Sequence, residues 1–177
     1  APFIVGGVYS TGTNATLNGD IAEVLVYNSV LPALDRQSVE DYLNTKYAIF
    51  TSANTPVSTL SVTGGLKIWL KADAISGLSN GDGVSNWPDS SGNGNNATQS
   101  ILPKYKTNIL NGKPVVRFGG LGQVNQILTP ILTMSNRTVL IVTTQVGAPP
   151  GGAHSLIYQN VSPYYQLYAN SGSNILF

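Results

Sequence analysis

Extended structure dominates the pattern of hydrophobic and polar positions along the chain. In LKIWLKA, Leu66 to Ala72, the residues Leu66, Ile68 and Leu70 share one face of a strand, and Lys67, Trp69 and Lys71 share the other. That alternation predicts a half-buried strand. IAEVLVY (Ile21 to Tyr27), KPVVRF (Lys113 to Phe118) and RTVLIVTTQV (Arg137 to Val146) are β-branched or alternating runs bounded by Gly, Asn and Pro. Val139 to Val142 is apolar at every position, which predicts cover on both faces, as in the middle of a sandwich. Shorter strands are expected near Ile4 to Tyr9, Ser155 to Gln159 and Tyr165 to Tyr168.

One segment departs from the period of two. In LPALDRQSVEDYLNTKYAI, Val39, Tyr42, Leu43 and Tyr47 fall on one stripe of a helix, with Pro32 suited to its first position, Asp35 to its first turn and Lys46 to its last. A helix from about Pro32 to Tyr47, lying over a sheet edge or end, is the expectation. Residues 51–63, TSANTPVSTLSVT, carry no charge, are rich in Ser and Thr, and contain Pro56, so they read as an extended linker between segments 1–50 and 64–177.

Composition sharpens the class. A chain of 177 residues with 42% hydrophobic residues holds enough apolar mass for a sizeable core, whereas only 10% are charged, which leaves a neutral surface of hydroxyls and amides. Formal net charge is +1 and the lysines are scattered, so there is no stripe to track a nucleic-acid backbone. Cysteine is absent, which removes disulfides, thiolate metal sites and cysteine nucleophiles together. No apolar run reaches the roughly 18 residues of a membrane helix. APFIVGGVYS lacks the basic start of a signal peptide, so an exported chain would be in its mature form. Few charges, many Thr and Asn and no Cys suit a bacterial or archaeal surface protein.

Two segments carry a family resemblance. NGDIAEVLVYNSVLPALDRQSVEDYLNTKYAI, Asn18 to Ile49, resembles the closing signature of laminin-G-like domains of the concanavalin A-like lectin/glucanase superfamily. GLKIWLKADAISGLSNGDGVSNWPDSSGNGNNATQ, Gly65 to Gln99, followed by LNGKPVVRF, Leu110 to Phe118, resembles the opening signature of the same domains in bacterial surface proteins. The resemblance implies an all-β, antiparallel jelly-roll sandwich with carbohydrate-binding, adhesive or structural roles. The closing piece here precedes the opening piece. A window across tandem repeats, a circular permutant, a subunit completing its neighbour head to tail, and an arbitrary fragment boundary all fit that order.

Chemistry-bearing residues are few. Glucanases of the superfamily resemble one another in a strand that places two carboxylates in one cleft; here the nearest acids, Asp20 and Glu23, are three apart, and a regular strand sends them to opposite faces. Catalysis is therefore not expected. His154 stands alone at a strand entry, with no Gly-x-Ser-x-Gly turn to supply a nucleophile. The most polar stretch runs from Ser79 to Thr98, where Asp82, Asp89, Asn93 and Asn95 offer the hard oxygen donors that calcium prefers. DSSGNGN equally suits a tight turn in which Asp and Asn bond their own backbone. Calcium also occurs in laminin-G-like domains, which is what the resemblance implies.

Tyr158, Tyr164 and Tyr165, with Asn160 and Gln166, combine rings and planar amides as a sugar platform does. The same tyrosines are ordinary strand residues, and Trp69 and Trp87 read as packing residues. Asn14, Asn96, Asn136 and Asn160 begin Asn-x-Ser/Thr triplets, which mark glycan sites only in a host that modifies them. The expected protein is a secreted or cell-surface module without catalytic activity, working in adhesion or structure. Its expected partners are copies of itself, neighbouring repeats or extracellular glycans, with neither nucleic acid nor membrane insertion. The alternative is a carbohydrate-binding module of a polysaccharide-degrading system.

Overall fold

The alternating runs form strands, and the strands assemble into two packed antiparallel sheets. The computed structural model describes residues 2–7, 17–50, 56–99, 101–119, 127–132, 134, 136–146, 154–159 and 165–169. In chain order the elements are β1 (Pro2–Val5), β2 (Gly19–Tyr27), α1 (Ala33–Tyr47), β3 (Leu66–Lys71), a 3-10 turn at Ala72–Ala74, β4 (Asn86–Trp87), β5 (Ala97–Thr98) and β6 (Lys104–Leu110). They continue as β7 (Lys113–Phe118), β8 (Ile127–Ile131), β9 (Thr138–Gln145), β10 (His154–Gln159) and β11 (Tyr165–Ala169). The first sheet has the order β11-β10-β1-β8-β5-β4. The second is built around β2.

β2 is paired on both edges. β9 runs along its whole length, from Gly19 opposite Gln145 to Tyr27 opposite Thr138. On the other edge β7 pairs with Gly19 to Ile21 and β3 with Glu23 to Tyr27, so two strands share one side end to end. β6 then adds to β7. Strands from before and after residues 51–63 thus belong to the same two sheets, since β1 likewise pairs with β8 and β10.

Period-two alternation fills the space between the sheets. Phe3, Val5, Ile127, Leu156 and Ile157 from the first sheet meet Ile21, Val24, Val26, Ile68, Leu70, Val116, Phe118 and Ile141 from the second. Trp87 is fully buried in this layer, as its reading as a packing residue expects. Gly6 takes a positive φ where the chain leaves β1, and a Cβ there would run into the Phe118 ring.

The helix covers the outer face of the second sheet. Val39, Tyr42, Leu43 and Tyr47, the stripe expected from the sequence, pack on Ala22, Leu25, Tyr27, Leu66, Val115, Leu140 and Val142. It lies over the sheet's face, beyond the edge or end expected. β2 and β9 are therefore covered on both sides, which explains the unbroken apolar run at Val139 to Val142. Pro32 stands one residue before the first turn, its carbonyl accepting from the Arg36 amide at 2.9 Å. The helix ends where Ala48 turns left-handed and donates to the Asn44 carbonyl.

Residues 56–63 have neither helix nor strand, yet they do not hang free as a linker would. Val57, Leu60 and Val62 pack on the helix-side core; the Val57 amide donates to Thr45 Oγ1 at 3.0 Å and the Tyr27 hydroxyl to the Val62 carbonyl at 2.9 Å.

Candidate functional site

A register shift in β2 creates the site. Between Ile21 and Glu23 the pairing with β9 slips by one residue, a β-bulge, so Ile21 and Val24 both enter the layer between the sheets while Ala22 and Glu23 both face the helix. Asp20 stands on that outer face as well, bonded to Arg117, which alternates with the helix-covered Val115. Asp20 and Glu23 therefore share one face, contrary to the expectation for an unbulged strand.

On that face each acid is held by its own partners. Arg117 grips Asp20 with two parallel bonds, Nε to Oδ1 at 2.7 Å and an Nη to Oδ2 at 2.8 Å. These bonds push the guanidinium pKa above its ordinary value. Glu23 is fully buried and accepts from the Tyr42 hydroxyl at 3.0 Å, the Tyr47 hydroxyl at 2.8 Å, Lys46 Nζ at 2.8 Å and Trp69 Nε1. Tyr42 and Lys46, four apart, lie on one side of the helix, and Tyr47 reaches Glu23 from the flank of the same sheet-facing side. Burial, with the Glu23 charge nearby, drives the phenols of Tyr27, Tyr42 and Tyr47 well above the ordinary tyrosine value, so all three stay protonated donors.

Above this network lies a cleft of about 760 Å³ between α1, residues 58–60 and the β3 and β6–β7 region. Trp69 and Tyr42, in edge contact with centroids 6.2 Å apart, form its aromatic part. Lys71 Nζ sits 4.2 Å from the Trp69 ring centre, a cation–π contact, and Lys46 bridges Glu23 to Asp73 at 3.0 Å. Ser58, Thr59 and Asn111 add hydroxyls and an amide to the walls. Little along the chain signals this cleft: Trp69 reads as a packing residue, and only the fold brings residues 58–60, 69 and 111 together.

The polar stretch from Ser79 to Thr98 forms two local structures. Asp82 closes a turn by accepting from the Ser79 amide at 2.7 Å, while its carbonyl accepts from the Tyr105 amide at 2.8 Å. Asp89 accepts from the amides of Trp69, Ser91 and Asn95 and from the Ser91 hydroxyl, at 2.7 to 2.9 Å. Asn93 and Asn95 turn their amide nitrogens to the carbonyls of Leu66 and Lys67. Asp89, Asn93 and Asn95 thus strap one loop to the edge of β3, and Asp82 belongs to a separate turn beside β6. Among the described residues no three of His, Asp and Glu gather as metal ligands.

Of the tyrosine set, Tyr158 and Tyr165 lie in the other sheet. Tyr158 is in β10, where it pairs with Gln166 of β11, and Gln159 pairs with Tyr165. Tyr164 and Asn160 lie outside the described residues. Of the triplet asparagines, Asn96 and Asn136 are exposed, and Asn14 and Asn160 lie outside the described residues. No family model, curated protein or solved structure matches the chain.

Proposed function

We propose that the chain is a non-catalytic extracellular module of the concanavalin A-like jelly-roll type, working in adhesion or structure with copies of itself or neighbouring repeats. The observation that carries this reading is the engagement of the two outer-face acids. A general acid or base must reach a substrate proton, and Asp20 is clasped by Arg117 while Glu23 is buried beneath four donors. The low charge of the chain adds support, because neutral Thr- and Asn-rich strands meet their copies without repulsion. Incubation with a panel of polysaccharides should release no reducing ends. Hydrolysis lost in Asp20→Asn or Glu23→Gln, with the variants still folded, would overturn the reading. Such modules joined head to tail would build a surface fibre; electron microscopy of concentrated protein tests this, and dispersed monomers would sink it.

The cleft favours a second reading, a carbohydrate-binding module. An indole, a phenol, an amide and two hydroxyls converge there, the combination that stacks on a sugar ring and bonds its hydroxyls. Glycan-array binding abolished by Trp69→Ala would place the sugar in the cleft. Binding abolished by Tyr164→Ala with Tyr165→Ala would instead favour the tyrosine set as the sugar platform.

A further inference from the structure

The lysines are scattered along the chain, but the fold gathers three of them on the walls of the cleft: Lys46 from α1, Lys71 from the end of β3 and Lys113 from the start of β7. Alternation along β3 puts Lys71 on the same face as Trp69. Lys113 alternates with Val115, which packs under the helix, so it stands on that outer face as well. Asp73 is the one acid lining the cleft with them among the described residues.

These charges do not cancel. Lys46 is held twice, by Glu23 at 2.8 Å and by Asp73 at 3.0 Å. Among the described residues, which include all eight acidic side chains of the chain, Lys71 and Lys113 form no ion pair. Lys71 instead lays its ammonium over the Trp69 ring, 4.2 Å from the centre. The cleft therefore presents two cations without a carboxylate partner, next to an indole and a rim of hydroxyls.

We propose that the cleft takes an acidic sugar, a pyranose ring bearing a carboxylate or sulfate whose charge is met by Lys71 and Lys113. The proposal rests on the carbohydrate-binding reading of the cleft and names the class of sugar. A neutral ring stacked on Trp69 displaces the Lys71 ammonium from the indole and gives it nothing in exchange. An anionic ring makes the same stacking contact and takes the displaced ammonium as its ion-pair partner. Either anion suits the site, because an ammonium on a flexible stem is a point charge, and the described lining residues include no arginine to select a planar carboxylate. Asn111 turns its amide nitrogen to the Lys46 carbonyl at 3.1 Å, which leaves its oxygen, with Ser58 and Thr59, for the hydroxyls of the ring.

Matched pairs of oligosaccharides test this by titration calorimetry of the 177-residue chain: glucuronate against glucose, galacturonate against galactose, and sulfated against unsulfated galactan, equal in linkage and length. The acidic member of at least one pair should bind about tenfold tighter, and added salt should erase the difference. Lys71→Gln and Lys113→Gln should each weaken that member about threefold, and the double variant about tenfold, with neutral sugars not weakened and the melting temperature held. Neutral members bound as tightly as acidic ones, with Trp69→Ala abolishing both, would overturn the acidic assignment and leave the carbohydrate reading standing. An acidic preference indifferent to both lysines would overturn it too, as would poly-glutamate binding as tightly as the glycans. Absence of binding to every member would overturn this inference and the sugar reading together.

Discussion

Glu23 takes hydrogen bonds from two phenols, an indole and an ammonium while its side chain is closed off from solvent. Glu23→Gln keeps the shape but turns donors of the new amide toward donors of the protein and leaves Asp73 as the carboxylate paired with Lys46. The expected loss is about 3 kcal/mol of stability, read from urea unfolding. The phenols set a pH limit. Tyr27, Tyr42 and Tyr47 have folded pKa values raised above the unfolded value of about 10, so their contribution is fully present below that pH and declines as pH rises beyond it. Tyrosinate absorbance should rise late, in step with loss of near-ultraviolet circular dichroism; early ionisation of these three in the folded protein would contradict the network. That Asp20 and Glu23 are near neighbours on one strand was legible in the sequence, but the direction of Glu23 was not. Parity along the strand puts it opposite Asp20, and only the slip against β9 turns it to the helix.

Among the elements, the loop behind β3 illustrates how a motif can be read without its purpose. DSSGNGN reads equally as a tight turn or as calcium donors, and in the structure Asp89 collects four protein donors while Asn93 and Asn95 bond β3 carbonyls. Asp89→Ala should cost about 2 to 3 kcal/mol and raise hydrogen exchange at the Trp69 and Asn95 amides. Chelator should leave the melting temperature of the parent unchanged, because these bonds already hold the loop; a chelator-dependent drop would give the loop an ion. The helix stripe and β2, β3, β7 and β9 were legible from periodicity. β6, KYKTNIL, was not, because an edge strand with lysines breaks the apolar alternation. β8 contains Pro130, which reads as a break, and β4 and β5 are two residues each, too short for any period to show.

At the scale of the whole molecule, β2 is central to its sheet, and its partners arrive late in the chain: Thr143 bonds the Asp20 carbonyl across a separation of 123 residues. Such pairing should make folding slow, on the millisecond-to-second scale, in stopped-flow measurements. It also predicts that a protease site inserted in residues 51–55, once cut, leaves two fragments that stay associated and elute together, because β1 and β2 are held by strands of the other piece. Fragments that separate without denaturant would show that the two segments do not share their sheets. By itself the sequence determined which segments are extended, which is helical and which faces are apolar, since those depend on periods of two and 3.6 within a short window. Only the tertiary structure decided that segments 1–50 and 64–177 interleave in common sheets and that a bulge puts Asp20 and Glu23 on one face. Those outcomes depend on register between residues far apart in the chain, and register is chosen by the packing of both layers at once.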